Sequence, residues 1–181
     1  MKAILPFAGC VVMCFSLCGC KKSTEYSEIP EIHFLQMEMN MDSVDGLGEK
    51  LKKVYLTFSF IDGDGDLGVR EGMPVISKIH YSWMKKTSGG QYEAYVFSNG
   101  NTVETFEIPY DDNVMNKDDA YNKLLKGSMK AVLDVPYGPS AAGMDTVHIR
   151  FFIFDRALHQ SNTEITPDFS ILDDSVKIEQ P

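Results

Sequence analysis

After residue 20 this chain has no cysteine. All four cysteines, Cys10, Cys14, Cys18 and Cys20, lie in the first twenty positions, so nothing beyond them can be stapled by a disulfide. Basic charge is also scarce: 17 Lys and Arg stand against 26 Asp and Glu, for a formal net charge of −9. No basic cluster exceeds a pair such as Lys52-Lys53 or Lys85-Lys86. A nucleic-acid partner is excluded on that ground, and an anionic lipid surface is disfavoured. No G-x-S-x-G, H-E-x-x-H or Walker loop occurs, and no thiol remains for nucleophilic chemistry. The histidines, His33, His80, His148 and His159, are scattered, and three fall on expected strands. They read as surface or packing residues and not as a catalytic set. The sequence therefore points away from an enzyme.

One long apolar run exists, at the front. Lys2 is followed by an apolar stretch from Ile4 to Phe15, too short to span a bilayer comfortably and placed as in a secretory signal. Leu17-Cys18-Gly19-Cys20 then resembles a bacterial lipobox, with an aliphatic residue three before the cysteine and a small one directly before it. The resemblance implies a signal peptide over 1–19, cleavage before Cys20, and lipid on Cys20. Several acyl chains on one residue, at about 0.8 kcal/mol per buried CH₂, hold a domain to a membrane stably. Cleavage would leave 162 residues with net charge −10, since Lys2 is the one charge removed. That size suits one domain with a true core. Residues 20–28 read as lipidated cysteine and polar tether, and 29–181 as the domain.

The most informative stretch is Phe58-Ser59-Phe60-Ile61-Asp62-Gly63-Asp64-Gly65-Asp66-Leu67-Gly68. Val54, Leu56, Phe58 and Phe60 alternate with Tyr55, Thr57 and Ser59, which is strand periodicity. The strand runs into three carboxylates spaced two apart on a glycine-rich loop. Left alone, they repel one another. A hard divalent cation removes the conflict, and an all-oxygen set selects calcium over zinc. Asp62, Asp64 and Asp66 are the expected ligands of a structural Ca²⁺. Gly63, Gly65 and Gly68 let the backbone curl around it. The spacing begins like an EF-hand loop and then departs from it. Counting Asp62 as one, position six is Leu67 where Gly is required, position twelve is Met73 where Glu is required, and the flank is a strand. A solvated acidic turn is the alternative.

Further strands are expected over Ile29–Met39, Ser77–Lys85, Gln91–Phe97, Thr105–Tyr110, Ser128–Val135, Thr146–Phe154 and Thr163–Leu172. The apolar positions of the first change parity between Phe34 and Leu35, which predicts a bulge. Asn40–Lys53 reads as a polar connection, and the tail from Asp173 as frayed. Asp111–Gly127 reads as a short helix, with Asp118 and Asp119 first and Gly127 last, or as a long crossover. Seven to eight short strands predict an all-β antiparallel sandwich, immunoglobulin-like, with a barrel as the alternative. Trp83, Tyr92 and Tyr95 suit either core packing or a sugar-stacking platform.

Asp155-Arg156-Ala157-Leu158-His159-Gln160-Ser161-Asn162 follows a core strand, as Asp62 does. If both strands end at the same rim, Asp155 is either a fourth ligand or an ordinary turn or ion-pair residue. The blocks Phe58–Gly68, Asp155–Asn162 and Thr166-Pro167, with the lipobox, resemble envelope lipoproteins of Bacteroidota that have no established activity. The resemblance implies an outer-membrane lipoprotein, periplasm-facing or surface-exposed. Two functional readings stand. One is a lipid-anchored, calcium-stabilised, non-catalytic module with a protein or glycan partner. The other is a small Ca²⁺-dependent hydrolase or glycan-processing accessory enzyme.

Overall fold

The computed structural model describes residues 26–44, 50–69, 72, 74, 76–109, 124–136 and 143–180. Nine strands form among them: β1 (Glu31–Val44), β2 (Lys50–Asp62), β3 (Lys78–Lys86), β4 (Tyr92–Ala94), β5 (Glu104–Glu107), β6 (Leu125–Asp134), β7 (Val147–Phe154), β8 (Glu164–Ile165) and β9 (Val176–Glu179). They build two antiparallel sheets, one ordered β6-β2-β1-β9 and the other β4-β3-β7-β8, with β5 also paired to β3. Neither closes into a barrel. Constant-type immunoglobulin sandwiches set strands A, B, E and D against C, F and G. Here β1, β2 and β6 lie in the places of A, B and E and β3, β7 and β8 in those of C, F and G, but among the described residues no strand stands beside β6 in the place of D, and β9 is added beside β1.

Alternation builds the core. Val54, Leu56 and Phe58 of β2 and Val147, Ile149, Phe151 and Ile153 of β7 are completely buried. Antibody domains tie strands B and F with a disulfide across the sheets. This chain has no cysteine to do so, and Phe58 meets Phe151 instead, ring centroids 5.3 Å apart and tilted by 48°. Trp83 on β3 is buried against Phe169, and Tyr95 is buried beside Phe97. Neither belongs to a sugar platform. Tyr92 lies outside, hydrogen-bonded to Asp168. On the outer face of the second sheet His80 stacks on Phe152 at 5.1 Å and meets Phe154 edge-on.

The bulge in β1 is where parity places it. Phe34 pairs with Phe58 and Gln36 with Thr57, leaving Leu35 as the extra, exposed residue. Other boundaries differ from expectation. The polar connection over Asn40–Lys53 is largely strand, because β1 and β2 carry their pairing out to Val44 and Lys50. The Thr163–Leu172 strand shrinks to the two residues of β8. The tail is not frayed: Val176–Glu179 pairs with Gln36–Met39 as β9, its alternate residues half-buried on the core side. Of the expected helix or crossover, residues 110–123 lie outside the described residues. Its end is strand, with Leu125, Lys126 and Gly127 pairing Asp62, Ile61 and Phe60. The unpaired edge of β2 outweighs local helix preference there. No helix is present among the described residues.

Replacing Phe58 with Ala removes half of the ring pair that joins the sheets. We expect a loss of about 3–5 kcal/mol, the usual cost of deleting a buried aromatic ring, read as a fall in the midpoint of urea unfolding.

Candidate metal centre

β2 belongs to the first sheet and β3 to the second, so the chain must cross the end of the sandwich between Asp62 and Ser77. The acidic loop is this crossing. Leu67, where an EF-hand would need glycine, is completely buried and plugs the end of the core. Gly68 N–H donates to the Ser77 hydroxyl at 3.0 Å, and that hydroxyl donates to the Phe154 carbonyl at 3.0 Å. The loop is thereby tied to the end of β7. Gly65 and Gly68 take positive φ, 69° and 87°, where a side chain would strain the turn. Gly63 serves differently. A Cβ there would stand 2.3 Å from the Ser27 carbonyl oxygen and 2.6 Å from that of Tyr26, and Gly63 N–H donates to Ser27 at 2.9 Å. The segment entering the domain lies directly on the loop.

Asp62, Asp64 and Asp66 converge. One oxygen from each lies within 4.8 Å of the other two. Asp62 is completely buried, and its Oδ2 accepts from the N–H groups of Asp66 and Leu67 at 2.9 and 3.2 Å. Asp66 Oδ2 accepts from Ala157 N–H at 2.9 Å. Three further oxygens, Oδ1 of Asp62, Asp64 and Asp66, are buried and have no hydrogen-bond partner. Each such oxygen costs free energy unless something positive meets it. Burial first, then the neighbouring Asp64 and Asp66, push the Asp62 carboxyl up to about 7. Burial, then Asp155 and Asp64, push Asp66 up as well.

Asp155 arrives at the same rim from β7. The crossing after β2 and the turn after β7 are joined where Arg156 N–H donates to the Asp66 carbonyl at 3.3 Å. Asp155 is completely buried, but it is oriented on His159: Oδ1 accepts His159 N–H at 2.7 Å and Oδ2 meets His159 Nδ1 at 2.9 Å. It stands beside the three converging carboxylates as a turn-capping residue. Sequence reasoning passed over His159. Asp155 above all raises the affinity of its ring for a proton, helped by the Glu28 carbonyl and Asp64. His159 thus closes the 155–162 turn on Asp155. Its spacing of four from Asp155 was the available signal.

The rest of the second block is structural. Ser161 Oγ accepts from Ile153 N–H at 3.0 Å. Asn162 bonds both main-chain groups of Ile32, each at 2.8 Å. Thr166 Oγ1 accepts from Ile149 N–H at 3.0 Å. Cys20 lies outside the described residues.

Comparison with family models, with curated protein sequences and with solved structures returns no match.

The donor set fits a hard cation. Calcium–oxygen distances of 2.3–2.6 Å allow two ligands to stand up to about 5 Å apart, so one carboxylate oxygen from each of the three aspartates can share one ion as they stand. Gly63, Gly65 and Gly68 also satisfy the phosphate-binding spacing G-x-G-x-x-G. That motif works by opening a helix onto an anion, whereas this loop leads into β3 and carries three acids.

The raised carboxyl sets a pH dependence for the metal-stripped protein. Asp62 binds its proton more tightly folded than unfolded, so its contribution to stability is full below about 4 and is lost as pH rises through about 7. His159, also raised, acts in the same direction above its ordinary 6.5. His80, lowered by burial and then by Lys78, acts the other way in the same range, so the part due to Asp62 is read from the difference between the protein and its Asp62→Asn variant. Asp168 and Glu179, both lowered, act only in more acid solution. Melting temperature should fall from pH 5.5 to pH 8 without divalent cation, and Asp62→Asn should flatten that fall.

Proposed function

We propose that this chain is a lipid-anchored, calcium-stabilised, non-catalytic module of the bacterial cell envelope. It presents its loops to a protein or a glycan. The observation that carries the metal part is the trio of buried, unpartnered carboxylate oxygens on Asp62, Asp64 and Asp66. A calcium ion among them supplies positive charge directly at oxygens that have no hydrogen-bond partner. It lies between the crossing that leaves β2 of the first sheet and the turn that leaves β7 of the second, so its effect is to stiffen one end of the sandwich.

The geometry around His159 favours a structural role over hydrolysis. A general base needs a ring nitrogen free to face its substrate. Here one ring nitrogen, Nδ1, is held by Asp155 at 2.9 Å. Asp155 likewise spends both oxygens on His159.

The anchoring part rests on Leu17-Cys18-Gly19-Cys20, with lipid on Cys20 in an outer membrane as the lipoprotein resemblance implies. Ser27 and Glu28, the last residues of the tether, are held against the calcium loop.

Calcium should raise the melting temperature of the chain from residue 21 onward, and chelator should reverse the gain. At a hundred times the dissociation constant, binding contributes about 2.7 kcal/mol. Asp64→Asn should remove most of it. Identical melting curves with and without calcium would overturn the metal reading.

A further inference from the structure

Leu158 is the one described residue other than glycine with positive φ, 70°. A branched side chain in that conformation is strained, and glycine would adopt it freely. Burial does not offset the strain, because Leu158 is 63% exposed. Its N–H makes only a long bond, 3.4 Å, to the Asp155 carbonyl, which glycine would make equally well. The leucine side chain therefore does nothing for the isolated domain that would justify its place.

Its surroundings indicate what it faces. Ala157, the residue before it, donates to Asp66 Oδ2 at 2.9 Å, and Gly63 of the same loop donates to the Ser27 carbonyl at 2.9 Å. Close to Ser27 are Ile29, which is 53% exposed, and Tyr26, which is 45% exposed. Three uncovered apolar side chains thus come from two segments that both lie on the 62–66 loop, at the rim where the chain enters the domain. Tyr26 comes six positions after Cys20, a reach of about 20 Å at full extension.

We propose that Leu158, Ile29 and Tyr26 form a membrane-facing patch that rests on the bilayer to which the domain is tethered. The inference depends on the lipid anchor of the proposed function. The tether keeps this rim close to the surface, and single apolar side chains then dip into the headgroup region. Their insertion fixes which end of the sandwich points outward. That end is the one holding Leu172, also exposed. Lys52 at the start of β2 bonds the Ile171 carbonyl there, and ten strand residues, about 33 Å, separate it from Asp62.

The test uses the full lipidated protein in phosphatidylcholine vesicles with brominated acyl chains, with calcium present. Trp83 is completely buried and gives a constant background. Ile29→Trp and Leu158→Trp should lose emission to the bromolipid and shift to the blue, and Leu172→Trp should do neither. Leu158→Gly should raise the melting temperature while reducing the quenching of Ile29→Trp. Protein that floats with the vesicles but shows equal quenching at all three positions, or none, overturns the patch and leaves the anchor standing. Protein that does not float overturns the anchor and the patch together. A fall in melting temperature for Leu158→Gly also overturns the patch, because it would make Leu158 a stabilising residue.

Discussion

Like charges pressed together out of water are the central constraint of this molecule. Asp62 is completely buried at the point where the first sheet hands the chain to the second, with Asp64 and Asp66 beside it and Asp155 next to them. A hydrophobic end to the sandwich would be easier to build. The chain instead covers that end with Leu67 and leaves three carboxylate oxygens facing one another. Main-chain N–H groups answer Oδ2 of Asp62 and Asp66, and among the described residues no hydrogen-bond donor answers Oδ1 of Asp62, Asp64 or Asp66. Burial raises the cost of that arrangement, and a divalent ion reverses its sign.

Much else at this rim serves to hold the carboxylates in place. The Ser77 hydroxyl joins the loop exit to the last carbonyl of β7. Ala157 and Arg156 donate to Asp66, so the turn after β7 braces the crossing after β2. His159 holds Asp155 through its main-chain N–H and its ring. Two blocks about 90 residues apart in sequence therefore act as one unit. Away from the rim, the Phe58–Phe151 contact joins the sheets in a fold that lacks the usual disulfide.

What was legible in the sequence was local. The alternation of β2 and β7, the slip at Leu35 and the acidic spacing after Ile61 each depend on neighbours a few residues away, and each appears where the pattern puts it. What was not legible depends on distant chain. Gly63 looks like one more turn glycine, yet its role is to let the Ser27 backbone approach. Leu125 to Gly127 carry a helix-like ending but pair with β2 because its edge is open. Val176–Glu179 alternates correctly but is too short to stand out. His159 matters only because Asp155 and Glu28 meet it.

The outer border of β1 is sealed in two ways. From Gln36 to Met39 it is covered by β9, and Gln180 reaches the Leu35 carbonyl. Nearer its start, the side chains of Asn162 and Glu164 take the N–H groups of Ile32 and Phe34, as a neighbouring strand would. Molecules crowded onto a two-dimensional surface meet far more often than they would in solution, and a bare border would invite them to polymerise strand upon strand. Two polar side chains and a four-residue strand deny neighbours that foothold along β1.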